Sequence, residues 1–134
     1  MRSVRGERGS ASVLVVGLSL AVLIGVGFAV DGSRKGLAYS EATSIAEEAA
    51  RAGDQALRVP ALAAGTDADV VPDLAAAEAR RYVVSAGATG TVQVDNGRIV
   101  VDTTIVRQTV FLGVIGIGEF TVHGHGVAVL VSAG

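Results

Sequence analysis

From Ala11 to Val30 the chain shows no alternation between apolar and polar positions. The run "ASVLVVGLSLAVLIGVGFAV" is twenty residues without a charge. A helix rising about 1.5 Å per residue covers roughly 30 Å over that length, the thickness of bilayer hydrocarbon. After Asp31 the pattern becomes helical in period. No proline occurs from Leu37 to Arg58, and Ala38, Ala42, Ile45, Ala49, Ala52 and Ala56 recur at steps of four and three, with Glu41, Glu47, Glu48, Arg51, Asp54 and Arg58 on the other faces. Because the seam is mostly alanine it favours helix and presents a shallow surface, so a neighbour can sit close while each contact buries little area. Glu47 and Arg51, four apart with the acid first, add a few tenths of a kcal/mol and read as a solvated face. Gly32 and Gly36 each cost about 1 kcal/mol of helix stability relative to alanine and predict a bend there. One rod is expected from about Ser10 to Arg58, ending near Pro60, which disfavours helix at Val59.

A second helix is signalled by Pro72-Asp73 and continues through "DLAAAEARRYVVSAG" to a glycine stop near Gly87. Its expected buried face is Leu74, Ala77, Tyr82 (or the stem of Arg81) and Val84 or Ser85. The pattern then switches to a period of two. "TVQVDNGRIVVDTTIV" places Asn96-Gly97 between two alternating runs, the signature of a type I′ hairpin. A two-residue loop pairs Asp95 with Arg98, Val94 with Ile99 and Val92 with Val101. Val92, Val94, Ile99, Val101, Thr103 and Ile105 then share one face, and Gln93, Asp95, Arg98, Asp102 and Thr104 the other. Asp95 opposite Arg98 reads as a cross-strand ion pair beside the turn.

The segment "TVFLGVIGIGEF" joins the hairpin to a final strand, with Phe111, Leu112 and Ile115 on one face of a short helical turn. It is expected to cap the open end of the sheet; the alternative is a contact surface for membrane or partner. In the last strand Phe120, Val122, Gly124, Gly126, Ala128 and Leu130 alternate with Thr121, His123, His125, Val127 and Val129. The face carrying glycine and alanine would let a helix lie close against it.

Arg2, Arg5 and Arg8, partly offset by Glu7, precede the apolar run, and Arg34 and Lys35 follow it, a bias that favours a cytoplasmic amino end. A cleaved leader is the competing reading, since Gly27-Phe28-Ala29 has a small-x-small form that a signal peptidase accepts. An h-region of about 7 to 15 residues is shorter than this run, and helix signals continue straight through the candidate site, so the anchor is preferred. The chain accordingly divides into a cytoplasmic N-terminal tail (1–10), a transmembrane helix (11–30), an extracytoplasmic helical stem (31–58), a linker (59–71) and a small head (72–134). Its fold class is α+β, with one helix and an antiparallel sheet of about three strands in the head. Gly17, Ala21, Gly25 and Ala29 recur every fourth residue, a small-residue face on which another membrane helix can pack.

Half of the 134 residues are hydrophobic, but only two tyrosines and three phenylalanines are present, which suits thin, tightly packed layers better than a deep ligand cavity. A net charge of −2 without a basic run argues against nucleic-acid binding. The absence of cysteine excludes disulfides, thiolate zinc sites and a cysteine nucleophile. His123 and His125 lie on the same side of a strand, as a metal site would need, but the chain has no further histidine, and two solvent-facing side chains are the preferred reading. No nucleophile elbow, phosphate-binding glycine motif or carboxylate pair set apart by environment is present, so neither an enzyme, a cofactor nor a small-molecule substrate is expected.

Taken in order, "RGSASVLVVGLSLAVLIGVGFAVDGSRKGLAYSEATSIAEEAARAG" and the hairpin followed by "TVFLGVIGIGEFTVHGHGVAV" resemble the anchor, alanine-rich stem and strand–crossover–strand ending of TadE/TadG-like proteins. These are the minor pilins or pseudopilins of bacterial tight-adherence (Flp) pilus systems. The resemblance covers nearly the whole chain. It implies a single-pass protein of the cell membrane with its head outside, working in pilus assembly or related secretion at the cell surface. Its partners would be membrane lipid and other pilin or assembly subunits, met through the N-terminal helix and the head. Some members are cut by a prepilin peptidase after a glycine, and Gly9-Ser10 matches that position. Pilin-type substrates usually carry glutamate five residues after the cut, where this chain has Leu14, a departure that fits unprocessed TadG-like members better. The composition, rich in alanine, glycine and valine, is similar to that of actinobacterial members.

Overall fold

The computed structural model describes residues 7–64 and 72–130. The architecture is α+β: helix α1 (Glu7–Ala64), helix α2 (Pro72–Ser85), strands β1 (Thr89–Asp95) and β2 (Arg98–Gln108), a 3-10 turn (Leu112–Ile115) and strand β3 (Glu119–Val129). The strands form one antiparallel sheet in the order β1-β2-β3. The chain divides into two compact units. One joins the described part of 1–34 to 108–119, and the other comprises 35–107 with the described part of 120–134.

In the larger unit, α1 is uninterrupted through Gly36 and extends past the end that Pro60 predicts, to Ala64. The proline removes one ladder hydrogen bond, but the alanines that follow it are the strongest helix formers and carry the helix a further turn. Residues 65–71, the remainder of the expected linker, lie outside the described residues. The buried stripe of this stretch is Ala38, Ala42, Ala46, Ala49, Ala50 and Gly53, with Ile45 only partly covered. It is therefore rotated from the expected seam at its lower end, because the closest neighbours are backbones and only the smallest residues fit beneath them. Arg51 pairs with Glu48 at 2.8 Å rather than with Glu47.

Helix α2 begins at Pro72 and ends in a Schellman arrangement. Gly87 has φ 75°, its N–H donates to Val84 O, and Ala88 N–H donates to Val83 O. Its buried residues are Ala75, Ala76, Ala79 and Val83, whereas Leu74, Ala77, Tyr82, Val84 and Ser85 are exposed. This corrects the expected face: the larger side chains point outward because α2 packs against a helix backbone and against β1 at a separation that admits alanine.

The hairpin forms in the expected register, with Asp95 opposite Arg98, Val94 opposite Ile99 and Val92 opposite Val101. Asn96 (φ 49°) and Gly97 (φ 72°) occupy the left-handed region that a type I′ turn requires. Ile99, Val101 and Thr103 are fully buried, and Val92, Ile105, Val122 and Leu130 join them in the core with the buried alanines of α1 and α2, Val83 and Ala88. Each fully buried aliphatic side chain contributes about 1.5–3 kcal/mol. The expected Asp95–Arg98 ion pair does not form; the Asp95 carboxylate accepts from Asn96 Nδ2 at 3.1 Å, the nearer donor across so short a turn.

In the smaller unit, helical structure runs from Glu7 through Arg34, including Gly32. From Ala11 to Ala29 every residue is exposed except Gly27. This segment is long and apolar enough to cross a membrane.

Candidate functional site

The crossover between β2 and β3 is organised by contacts within its own unit. It belongs to the smaller unit and is gathered around Asp31, the first charged residue after the apolar run. Asp31 Oδ1 accepts the Val110 N–H at 3.0 Å, and Oδ2 accepts the Phe111 N–H at 3.0 Å and the Leu112 N–H at 2.7 Å. Its side chain is enclosed, with 2% of the residue exposed. Such a carboxylate has its charge shared among donors that would otherwise lack partners. The Val110 N–H holds its pKa below the ordinary carboxylate value; loss of water opposes this, and the Leu112 and Phe111 N–H groups and the Arg34 charge add to the lowering.

The rest of the crossover is tied to itself. Thr109 N–H donates to Gly118 O at 3.0 Å, Val114 N–H to Phe111 O, Gly116 N–H to Gly113 O and Ile117 N–H to Leu112 O. The Thr109 hydroxyl donates to Ile117 O. Gly116 closes the 3-10 turn at φ 91°. One turn before Asp31, Phe111 covers Gly27: a Cβ added to that glycine would come within 3.0 Å of Phe111 Cβ. Asp31 was legible in the sequence only as the end of the apolar run. The signal that would have singled it out is the uncharged crossover itself, whose backbone donors need an acceptor from elsewhere.

In the larger unit, the alternating small residues of β3 lie against the stem part of α1. A Cβ on Gly124 would collide with the backbone of Ala42, and one on Gly126 with that of Ala46. The buried Thr103 hydroxyl donates to Ala42 O at 2.7 Å, so strand and helix are also joined by a hydrogen bond. Gly53 makes the corresponding approach to the other neighbours of the stem, with its Cβ position 2.7 Å from Ile99 Cδ1 and 2.8 Å from Ala75 O.

The residues singled out in the sequence fall as follows. Gly9 and Ser10 are exposed near the start of α1. Gly17, Ala21, Gly25 and Ala29 are exposed on one helix face, with open space around the Cβ positions of Gly17 and Gly25. His123 and His125 are on the outward face of β3, each beside a β2 side chain: His123 Nδ1 is 3.1 Å from Thr104 Oγ1, and His125 Nδ1 is 2.7 Å from Asp102 Oδ1. Among the described residues no three His, Cys, Asp or Glu side chains gather where an ion could sit. No protein-family model, curated protein or solved structure matches this chain.

Proposed function

We propose that this chain is a membrane-anchored, non-catalytic minor pilin or pseudopilin-like component of a Tad (Flp) pilus assembly or its associated secretion, of the TadE/TadG-like kind. Residues 11–30 hold it in the cell membrane, with the amino end cytoplasmic and the head extracytoplasmic. The observation that carries this reading is the exposed apolar face of α1. Val13, Leu14, Val16, Leu18, Leu23 and Phe28 are each between 55% and 73% exposed along a helical segment long and apolar enough to cross a membrane. At about 25 cal/mol per Å² of apolar surface, leaving this segment in water would be costly, and bilayer hydrocarbon removes that cost.

The face formed by Gly17, Ala21, Gly25 and Ala29 supports lateral packing against another membrane helix, such as a second pilin-like subunit. Leucine at position 14 favours an unprocessed anchor over cleavage between Gly9 and Ser10. Protein taken from the membrane fraction of its native host is expected to begin at Met1 or Arg2. A start at Ser10 supports pilin-type processing instead, and a start at Val30 with recovery outside the cell supports a secreted binding module and overturns the anchor. Deletion of the gene is expected to reduce piliation and surface adherence; unchanged pili and secretion overturn the pilus role.

A further inference from the structure

The crossover from Gln108 to Gly118 contains no charged residue, and its apolar side chains other than the half-buried Leu112 are exposed. Val110 is 49% exposed, Phe111 46%, Val114 86%, Ile115 66% and Ile117 49%. Clustered apolar exposure of this kind marks a surface that is covered by something. The backbone indicates what covers it. A loop in water can leave its N–H groups to the solvent, whereas a loop dipping into lipid has to satisfy them within the protein. Here Val110, Phe111 and Leu112 donate to Asp31, and Val114, Gly116 and Ile117 donate to carbonyls of the same loop. The loop is also fixed beside the apolar segment, since Phe111 lies on Gly27 within one turn of its end.

We propose that the Val110–Ile117 crossover is a second membrane-contacting element, inserted into the interfacial region of the same lipid leaflet that surrounds the end of the apolar helix, with Asp31 as the acceptor that lets its backbone leave water. The occupant is lipid acyl chain and not a protein groove. This inference rests on the reading of residues 11–30 as a membrane anchor. Interfacial elements of this kind bury their apolar side about 5–10 Å into the headgroup–acyl boundary.

The chain has no tryptophan, so a single introduced tryptophan reports its own surroundings. The full chain carrying Val114→Trp, Ile115→Trp or Leu20→Trp is reconstituted into vesicles of phosphatidylglycerol and chain-brominated phosphatidylcholine. Position 114 is open enough to take the larger ring without disturbing a packed neighbour. Val114→Trp and Ile115→Trp are expected to emit at shorter wavelength than tryptophan in water, to resist aqueous iodide, and to lose on the order of half their emission to bromolipid, as residues at interfacial depth do. If Leu20→Trp is quenched by bromolipid while Val114→Trp and Ile115→Trp are quenched only by iodide, the loop lies in water and the inference fails while the anchor stands. If Leu20→Trp also escapes bromolipid, the anchor fails and the inference with it. Shifted emission at 114 and 115 that neither quencher reaches means that protein covers the loop, which likewise overturns the proposal.

Discussion

Gly126 of β3 lies so close to Ala46 of α1 that no side chain fits between them: a Cβ built on the glycine falls inside the contact distance of the Ala46 and Glu47 backbone. The helix–sheet contact is therefore set by main chain, and its tolerance for added volume is close to zero. Gly126→Ala and Gly124→Ala are each expected to destabilise the head by about 3 kcal/mol, the upper part of the usual cost of overpacking. In a domain of this size that lowers the melting temperature by on the order of 10 °C. Thermal unfolding of the detergent-solubilised chain checks it, and an unchanged melt would mean that helix and strand are not this close.

Gly53→Ala sets two effects against each other. Alanine improves helix propensity by about 1 kcal/mol, but its methyl group would stand 2.8 Å from Ala75 O and 2.7 Å from Ile99 Cδ1. The isoleucine tip can move and the carbonyl of α2 cannot move freely, so the expected net result is a loss of about 1–2 kcal/mol. Denaturant unfolding followed by circular dichroism measures the sign directly.

Thr103→Val keeps the shape of a fully buried residue and removes its hydroxyl from Ala42 O. That carbonyl lies within the helical ladder and keeps its intrahelical partner. Only the net worth of one buried hydrogen bond should be lost, about 1 kcal/mol, with the fold unchanged. A larger loss in the same unfolding measurement would show that the hydroxyl also positions the sheet.

Asp31 makes the crossover acid-sensitive. Its pKa is lowered in the folded chain, so the stabilisation it supplies is fully present above the unfolded value of about 3.9 and is lost as pH falls through the lower folded value. Hydrogen exchange at Val110, Phe111 and Leu112, corrected for intrinsic rate, should stay protected from pH 7 to pH 5, a range set by that unfolded value, and lose protection progressively as pH falls below it toward the lower folded value. Asp31→Ala should remove the protection at every pH and leave the amides of β1 and β2 unaffected.

Gly25→Leu places a large side chain where the isolated chain has open space, so the monomer is expected to accept it. An effect on disulfide-independent crosslinking between membrane helices would then be an effect on association. Crosslinked dimer yield is expected to fall severalfold in lipid, and an unchanged yield removes the small-residue face from any packing role.

The parts of this fold that the sequence discloses are those governed by local chemistry. Asn96-Gly97 selects the turn, the turn selects the register, and alternation assigns Val92, Ile99, Val101 and Thr103 to the buried face. Glycine at 124 and 126 announces a close helix without naming it. Side-chain size misleads in α2, where weight given to Leu74, Tyr82 and Val84 hides the alanine stripe that packs inward. The Asp31 contacts are invisible to any period, because 79 to 81 residues separate the acceptor from its donors. Nothing local distinguishes that carboxylate from an ordinary first charge after an apolar run.

The glycines of β3 also impose an order on biosynthesis. Ala42 and Ala46 are made early, and the residues that cover them come some eighty positions later, after both strands of the hairpin. Contacts of such long separation form slowly. A nascent polypeptide interrupted before Gly124 would therefore display a bare alanine surface beside an unfilled sheet edge, a form that quality-control proteases and chaperones could recognise.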